Sequence, residues 1–333
     1  HELRITLHTA RLSMPLVAST YAPPPWLRGG HLQTLYPSLM RSVDFPYDHR
    51  ERIDTPDGDF LDLDWKTTGR PRVAILSHGL EGSSHRSYMR GMARALVRHE
   101  WDVLAWNLRG CSGTPNRRLR TYHSGATEDL AVVVAHALAQ GYRTVGLVGF
   151  SLGGNLTLKY LGERGDALDP RIRAAAAFSV PVDLWASAQQ LDRPTNWHYV
   201  QYFLRTLRTK VQHKAARWPE RLQAPGLTEV RTLVDFDDRY TAPLNGFRDA
   251  LDYYRRASSK PLLAAITVPT LLVNAANDPF LGAPCYPRAI AQDHAHLTLE
   301  VPPEGGHVGF PAFNGDGLYW SEQRAAAFLE GAL

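Results

Sequence analysis

Ser151 stands in Gly149-Phe150-Ser151-Leu152-Gly153, with strand-forming Thr144, Val145 and Val148 before it and a helical pattern from Asn155 to Leu161 after it. A sharp strand-to-helix turn of this composition lifts a serine hydroxyl out of the backbone, because small residues two before and two after let strand and helix approach closely. The chemistry would be nucleophilic attack by Ser151. The motif alone also describes an ordinary glycine-rich turn, and it is the flanking strand and helix that favour the nucleophile.

A serine hydroxyl is a weak nucleophile at neutral pH, so the reading requires a base, an acid to orient it and donors for a developing oxyanion. The run from Leu297 to His307 supplies a short strand, a Pro/Gly turn and then a histidine. Of the fourteen histidines, His307 alone follows a terminal strand behind Gly305-Gly306, and it is the expected base. The preceding buried-type strand from Pro269 ends in Asn277-Asp278-Pro279, which makes Asp278 the expected acid. Asp183, after the strand pattern Ala174 to Val180, is its rival, and chain order Ser, Asp, His favours Asp278. The backbone amides of Leu80 and Leu152 are the expected oxyanion donors. Leu152 follows the nucleophile, and Leu80 follows the strand that breaks at His78-Gly79.

These residues need a scaffold that brings several strand ends together. Strand patterns at Val73 to Ser77, Asp102 to Trp106, Val145 to Gly149 and Ala174 to Val180 alternate with helical patterns at Tyr88 to His99, Thr127 to Gln140 and Asn155 to Glu163. That order predicts an α/β fold with a mostly parallel central sheet flanked by helices. Two antiparallel strands, Glu51 to Asp54 and Asp59 to Lys66, are expected ahead of it, joined through Pro56-Asp57-Gly58. A proline-rich arm, residues 14–50, comes before them. Residues 183–254 interrupt the alternation with helical, aromatic-rich sequence, read as a cap insertion.

Within the cap, Val200, Phe203, Leu204, Leu207 and Val211 have helical spacing, while Arg205, Arg208, Lys210 and Lys214 fall largely elsewhere on the same helix. The plain reading is an amphipathic helix with a solvated basic face. The sharper one is a lid whose basic side meets an anionic lipid surface or an acidic head group, a peripheral lipid contact through the cap. Trp185, Trp197, Tyr199, Tyr202 and Trp218 could line an acyl pocket or simply pack. His31, His123, Glu128, Asp129 and Asp235 read as cap, turn or core hydrogen-bonding groups that could also touch the site.

Composition fits one catalytic domain. A chain of 333 residues, 44% of them hydrophobic, can build a sizeable core as a single unit. Its formal charge of +4 is spread along the sequence, without the basic stripe of a nucleic-acid surface, so nucleic acid is not an expected partner. Cys111 and Cys285 lie far apart in no ligand spacing, and no metal motif or phosphate loop occurs, so neither metal nor cofactor is expected. No stretch approaches the length of a transmembrane segment and no signal pattern follows Met14. The expected location is the cytoplasm, with residues 1–13 read as an upstream or non-native extension.

Beyond the elbow, the chain carries Pro24-Pro25-Trp26, Gly30-His31-Leu32-Gln33-Thr34, His78-Gly79-Leu80-Glu81-Gly82, Asn107-Leu108-Arg109-Gly110 and Tyr122-His123-Ser124-Gly125. Further on come Asp235-Phe236-Asp237, Thr241-Ala242-Pro243, Gly246-Phe247 and Asn277-Asp278-Pro279-Phe280. With these motifs the sequence after Met14 resembles the YheT-like branch of the alpha/beta-hydrolases. The resemblance implies an alpha/beta-hydrolase fold over residues 1–333 with a triad at Ser151, Asp278 and His307. It implies hydrolysis of carboxylic esters, short- to medium-chain acyl esters or monoacylglycerols. The same triad would also serve an acyltransferase or thioesterase, and a third reading is a lipid-binding protein without turnover.

Overall fold

The computed structural model describes residues 16–333; the expected extension at residues 1–13 lies outside them. Strand β1 (Leu16–Val17) and helix α1 (Gly30–Met40) precede the pair β2 (His49–Asp54) and β3 (Phe60–Lys66). Then β4 (Arg72–Ser77), α2 (Ser87–Arg98), β5 (Asp102–Asn107), α3 (Thr127–Ala139), β6 (Thr144–Phe150), α4 (Leu152–Arg164) and β7 (Ile172–Phe178) alternate. Helices α5 (Leu184–Leu191), α6 (Trp197–Arg217), α7 (Leu233–Phe236), α8 (Ala242–Leu244) and α9 (Ala250–Ala257) follow. Strand β8 (Thr270–Val273), α10 (Arg288–Gln292), β9 (Leu297–Glu300) and α11 (Trp320–Gly331) complete the order.

The nine strands form one sheet in the order β1-β9-β8-β7-β6-β4-β5-β3-β2. Pairing is antiparallel where β3 meets β2 and β5, and parallel everywhere else. This is the expected α/β architecture. Strands β3 to β9 are largely buried on both faces, whereas the edge strands β1 and β2 are half-exposed, and the alternation feeds two apolar layers. Val73, Ile75, Val145 and Leu147 point into one layer with Leu130 and Val133 of α3 and Leu156 and Leu158 of α4. Ala74, Leu76, Val148 and Phe150 point into the other, with Met89, Met92 and Leu96 of α2 and Ala325 and Leu329 of α11.

Strand β4 has β5 on one side and β6 on the other. The chain therefore reverses its direction of travel across the sheet there, and the loops leaving β4 and β6 diverge around a crevice at their carboxyl ends. Those loops carry His78 to Leu80 and Ser151.

Two elements depart from the sequence reading. The proline-rich arm contains α1, and Leu16 and Val17 pair with Leu299 and Glu300 as an added edge strand. Between β7 and β8 only helices and turns occur, and they gather two apolar clusters of their own, one around Tyr199, Leu204, Val230 and Phe236 and one around Leu184, Tyr253 and Tyr254.

Candidate active site

Ser151 occupies the turn between β6 and α4 with φ 51° and ψ −119°, a backbone conformation that side chains rarely adopt. Its N–H donates to the Phe178 carbonyl at 2.9 Å, so the neighbouring strand pins the turn. A β-carbon on Gly149 would lie 2.5 Å from the Gly153 carbonyl oxygen, and one on Gly153 would collide with the Ser77 and His78 carbonyls. Strand and helix meet here at a distance only glycine permits.

The loop after β9 brings His307 to Ser151. Ser151 Oγ lies 2.9 Å from His307 Nε2, and His307 Nδ1 lies 2.9 Å and 3.1 Å from the two carboxylate oxygens of Asp278. Those partners assign the Nδ1–H tautomer, leaving Nε2 free to accept the serine proton. The Asp278 side chain is wholly buried, so its charge faces the imidazole and not water. Phe280 stacks on the His307 ring at 4.1 Å between centroids. Asp183, the rival acid, instead caps α5, its carboxylate accepting from the Ala186 N–H at 3.1 Å.

Helix α1 holds the base loop in place, a role the sequence reading did not assign. The His307 N–H donates to Thr34 Oγ1 at 2.8 Å, and the Gly305 N–H donates to Gln33 Oε1 at 2.8 Å. Asn277, next to the acid, donates to Gln33 Oε1 and accepts from the Gly306 N–H, both at 3.0 Å. Gln33 also donates to Glu304 and to the Leu27 carbonyl. One buried amide thus ties arm, acid loop and base loop together. The motif Gly30 to Thr34 and the Asn277-Asp278 pair were the available signals.

Leu80 and Leu152 both line the crevice at Ser151, and neither backbone N–H donates a hydrogen bond among the described residues. Unpaired N–H groups facing a site where negative charge would develop are what an oxyanion hole requires. His78 shapes this loop: its Nδ1–H donates to the Gly79 carbonyl at 2.8 Å, and its Nε2 accepts from the Leu108 N–H at 3.1 Å. Complete burial pushes its pKa down to about 4, which keeps the imidazole neutral.

Residues 74–311, well over half of the chain, match the model of the alpha/beta hydrolase fold family. The chain is an alpha/beta-hydrolase. YheT of Escherichia coli (strain K12) is 37% identical over 84% of each chain, which places this alpha/beta-hydrolase in the YheT-like branch. The mouse phospholipase ABHD3 is 32% identical over 89% of this chain and 74% of its own. Among solved structures, the Pyrococcus furiosus esterase Pf2001 shares the fold, with a TM-score of 0.56 and 17% identity over 86% of this chain and 93% of that one.

In this alpha/beta-hydrolase the crevice opens into a cavity of about 1080 Å³ between the sheet's loops and the helices after β7. Tyr199, Tyr202 and Trp218 line it; Trp185 and Trp197 do not. The expected solvated basic face of α6 holds for Arg205 but fails for Arg208, whose guanidinium donates to the Val230 carbonyl, and for the two lysines. Lys210 reaches Glu81 at 2.7 Å and Cys111 Sγ at 3.1 Å. Lys214 is buried and donates to Asn116 Oδ1 and to the carbonyls of Arg118 and Arg120. Long side chains whose heads find acceptors on the core turn inward despite their charge.

The other polar residues of the motifs divide by position. His123 is buried against the cavity, with its pKa pushed down to about 4 by burial, and its Nδ1 accepts from the Gly125 N–H. His31 bonds Tyr199 outside the cavity. Glu128 pairs with Arg120, Asp129 with the buried Arg109, and Asp235 with Arg239. Asp237, on a π-helical turn at the cavity wall, accepts from the Tyr254 hydroxyl at 2.7 Å, and burial raises its pKa to about 6. No cluster of His, Cys, Asp or Glu that could hold a metal ion occurs among the described residues, and the two cysteines are unpaired.

Proposed function

We propose that this chain is a serine carboxylesterase acting on short- to medium-chain acyl esters or monoacylglycerols. The observation that carries the reading is the line of contacts from Ser151 Oγ to His307 Nε2 and from His307 Nδ1 to Asp278, each at 2.9 Å. In the proposed reaction Ser151 attacks the ester carbonyl while His307 takes its proton. Asp278 holds the imidazole's tautomer and stabilises the imidazolium. The amides of Leu80 and Leu152 receive the oxyanion of the tetrahedral intermediate. His307 then gives its proton to the leaving alcohol, and water, deprotonated by the same histidine, releases the acid from the acyl-enzyme.

The cavity supports the substrate class, because 1080 Å³ walled largely by apolar and aromatic side chains fits an acyl chain better than a small polar molecule. The phospholipase name of a relative 32% identical to this chain agrees with an ester bond in a lipid.

Intact-mass measurement after fluorophosphonate treatment tests the assignment, followed by p-nitrophenyl esters of increasing chain length on wild type and Ser151→Ala. One label per chain, lost in Ser151→Ala together with turnover, is the expected outcome. An unlabelled, inactive wild type would favour the lipid-binding reading. Product analysis with added ethanol separates hydrolysis from acyl transfer, since ester formation in water requires the acyl-enzyme to prefer an alcohol.

A further inference from the structure

Helix α1 is inside out. It buries Gln33 and Pro37 and exposes Leu32, Leu39 and Met40, with Tyr36 half-buried between them. These apolar positions fall at i, i+4, i+7 and i+8, one face of a helix. The buried flank beside it is that of Gln33 and Pro37, where Gln33 is committed to the loops of His307 and Asp278. Leu39 is 75% exposed and Met40 69%.

Other apolar side chains extend the patch. Trp26 is 61% exposed and packs against Phe313 at 5.2 Å and Tyr36 at 5.6 Å. Trp197 and Tyr202 project from α6, which joins α1 through the contact of His31 with Tyr199. Of eleven exposed large hydrophobic residues among those described, seven belong to this neighbourhood: Trp26, Leu32, Leu39, Met40, Trp197, Tyr202 and Phe313. Single exposed hydrophobics are ordinary, whereas a contiguous group marks an interaction site. Leu39 and Tyr202 also border the cavity, so the patch reaches its rim.

Charge selects the occupant. Residues 20–43 contain no carboxylate, and neither do residues 193–219, which carry six arginines and lysines. Arg28, Arg193 and Arg205 are exposed and form no salt bridge among the described residues. Against these three arginines stands the half-buried carboxylate of Glu304, which is tied to Gly29 and Gln33. An exposed apolar face with a surplus of unpaired cations complements an anionic lipid surface.

We propose that this face docks on an anionic phospholipid bilayer, inserting Trp26, Leu32, Met40 and Phe313 and turning the cavity mouth toward the lipid. The contact differs from the lipid contact expected of the cap's lysines, which point into the protein. It does not depend on the catalytic reading, and Ser151→Ala must bind vesicles as wild type does.

The test is co-flotation with vesicles of phosphatidylcholine alone or mixed with phosphatidylglycerol, alongside hydrolysis of a water-soluble ester. Wild type should float with the anionic vesicles, and high salt should weaken the association. The triple variant Trp26→Ser, Met40→Ser, Phe313→Ser should lose on the order of tenfold or more in partitioning, with hydrolysis of the soluble ester unchanged. A second variant, Arg28→Glu with Arg193→Glu, leaves the apolar face intact and should lose binding to anionic vesicles alone. Wild type that stays unbound at every composition would overturn the proposal. So would a concentration-dependent dimer in sedimentation that the triple variant abolishes while vesicle binding stays the same.

Discussion

The loops at the sheet's carboxyl edge and the helices after β7 face the same cavity, yet they are held by different means. Ser151, His307 and Asp278 stand on turns fixed by backbone hydrogen bonds, by glycine contacts and by the Gln33 amide. The helical insertion rests on apolar clusters and is tied to the core by side chains, Lys210 on Glu81, Lys214 on the loop of residues 116–120, Asn196 on the Pro279 carbonyl and Ser187 on the Phe280 carbonyl. Reacting atoms need sub-ångström placement, and a wall that admits varied chains does not. On the proposed mechanism, the difference would give rate to the loops and substrate choice to the insertion.

Substitutions on either side should separate those properties. The largest effect is expected for Asp278→Asn, which keeps the shape but offers His307 the wrong tautomer. We expect kcat to fall on the order of 10⁴-fold with little change in melting temperature. Steady-state kinetics beside a thermal melt checks both. Next comes Gly30→Ala, whose β-carbon would strike the Asn277 carbonyl and push the acid and base loops apart. A displacement near 1 Å costs roughly 10²-fold, so kcat should drop by about that factor with KM nearly constant. A rise in KM alone would mean that α1 serves binding and not alignment.

Across the cavity, Lys214→Met should leave Asn116 Oδ1 without its donor, while the carbonyls of Arg118 and Arg120 keep only the Asn116 amide. A loss of about 2 kcal/mol in urea unfolding is expected, with faster hydrogen exchange in α6 and KM changed more than kcat. If kcat fell as it does for Gly30→Ala, the division between loops and insertion would break.

The last effect concerns acid, and only part of it shows at any one pH. His78 and His123 are held neutral by burial, with pKa values of about 4 against an ordinary 6.5. Between those values the unfolded chain binds more protons, so stability falls as pH drops from 6.5 toward 4. The slope reaches about 1.4 kcal/mol per pH unit for each histidine. Asp237 opposes this, since with its pKa raised to about 6 the folded state holds a proton that the unfolded chain releases until pH nears 3.8. Melting temperature against pH should therefore be shallower for His123→Asn and steeper for Asp237→Asn.

The strands were legible because a buried parallel sheet writes itself as short apolar runs closed by turn residues, and β4, β5, β6 and β7 fall within two residues of their expected bounds. The approach of Ser151, Asp278 and His307 was readable because each follows such a run. Helix α1 was hidden: Pro37 lies inside it, and it buries Gln33 and Pro37 while Leu32 and Leu39 face out. Periodicity assumes that apolar means inward. The inward turn of Lys210 and Lys214 was hidden too, because their acceptors come from loops a hundred residues away.

Ser151 keeps φ at 51° with a β-carbon attached. Backbone held in such a region costs on the order of 1–3 kcal/mol, and glycine would relieve it. Ser151→Gly should therefore give a chain that melts higher than its parent and turns over nothing. Selection for robustness alone would discard this serine, so wherever the lineage keeps it, the reaction is what the organism is being chosen for.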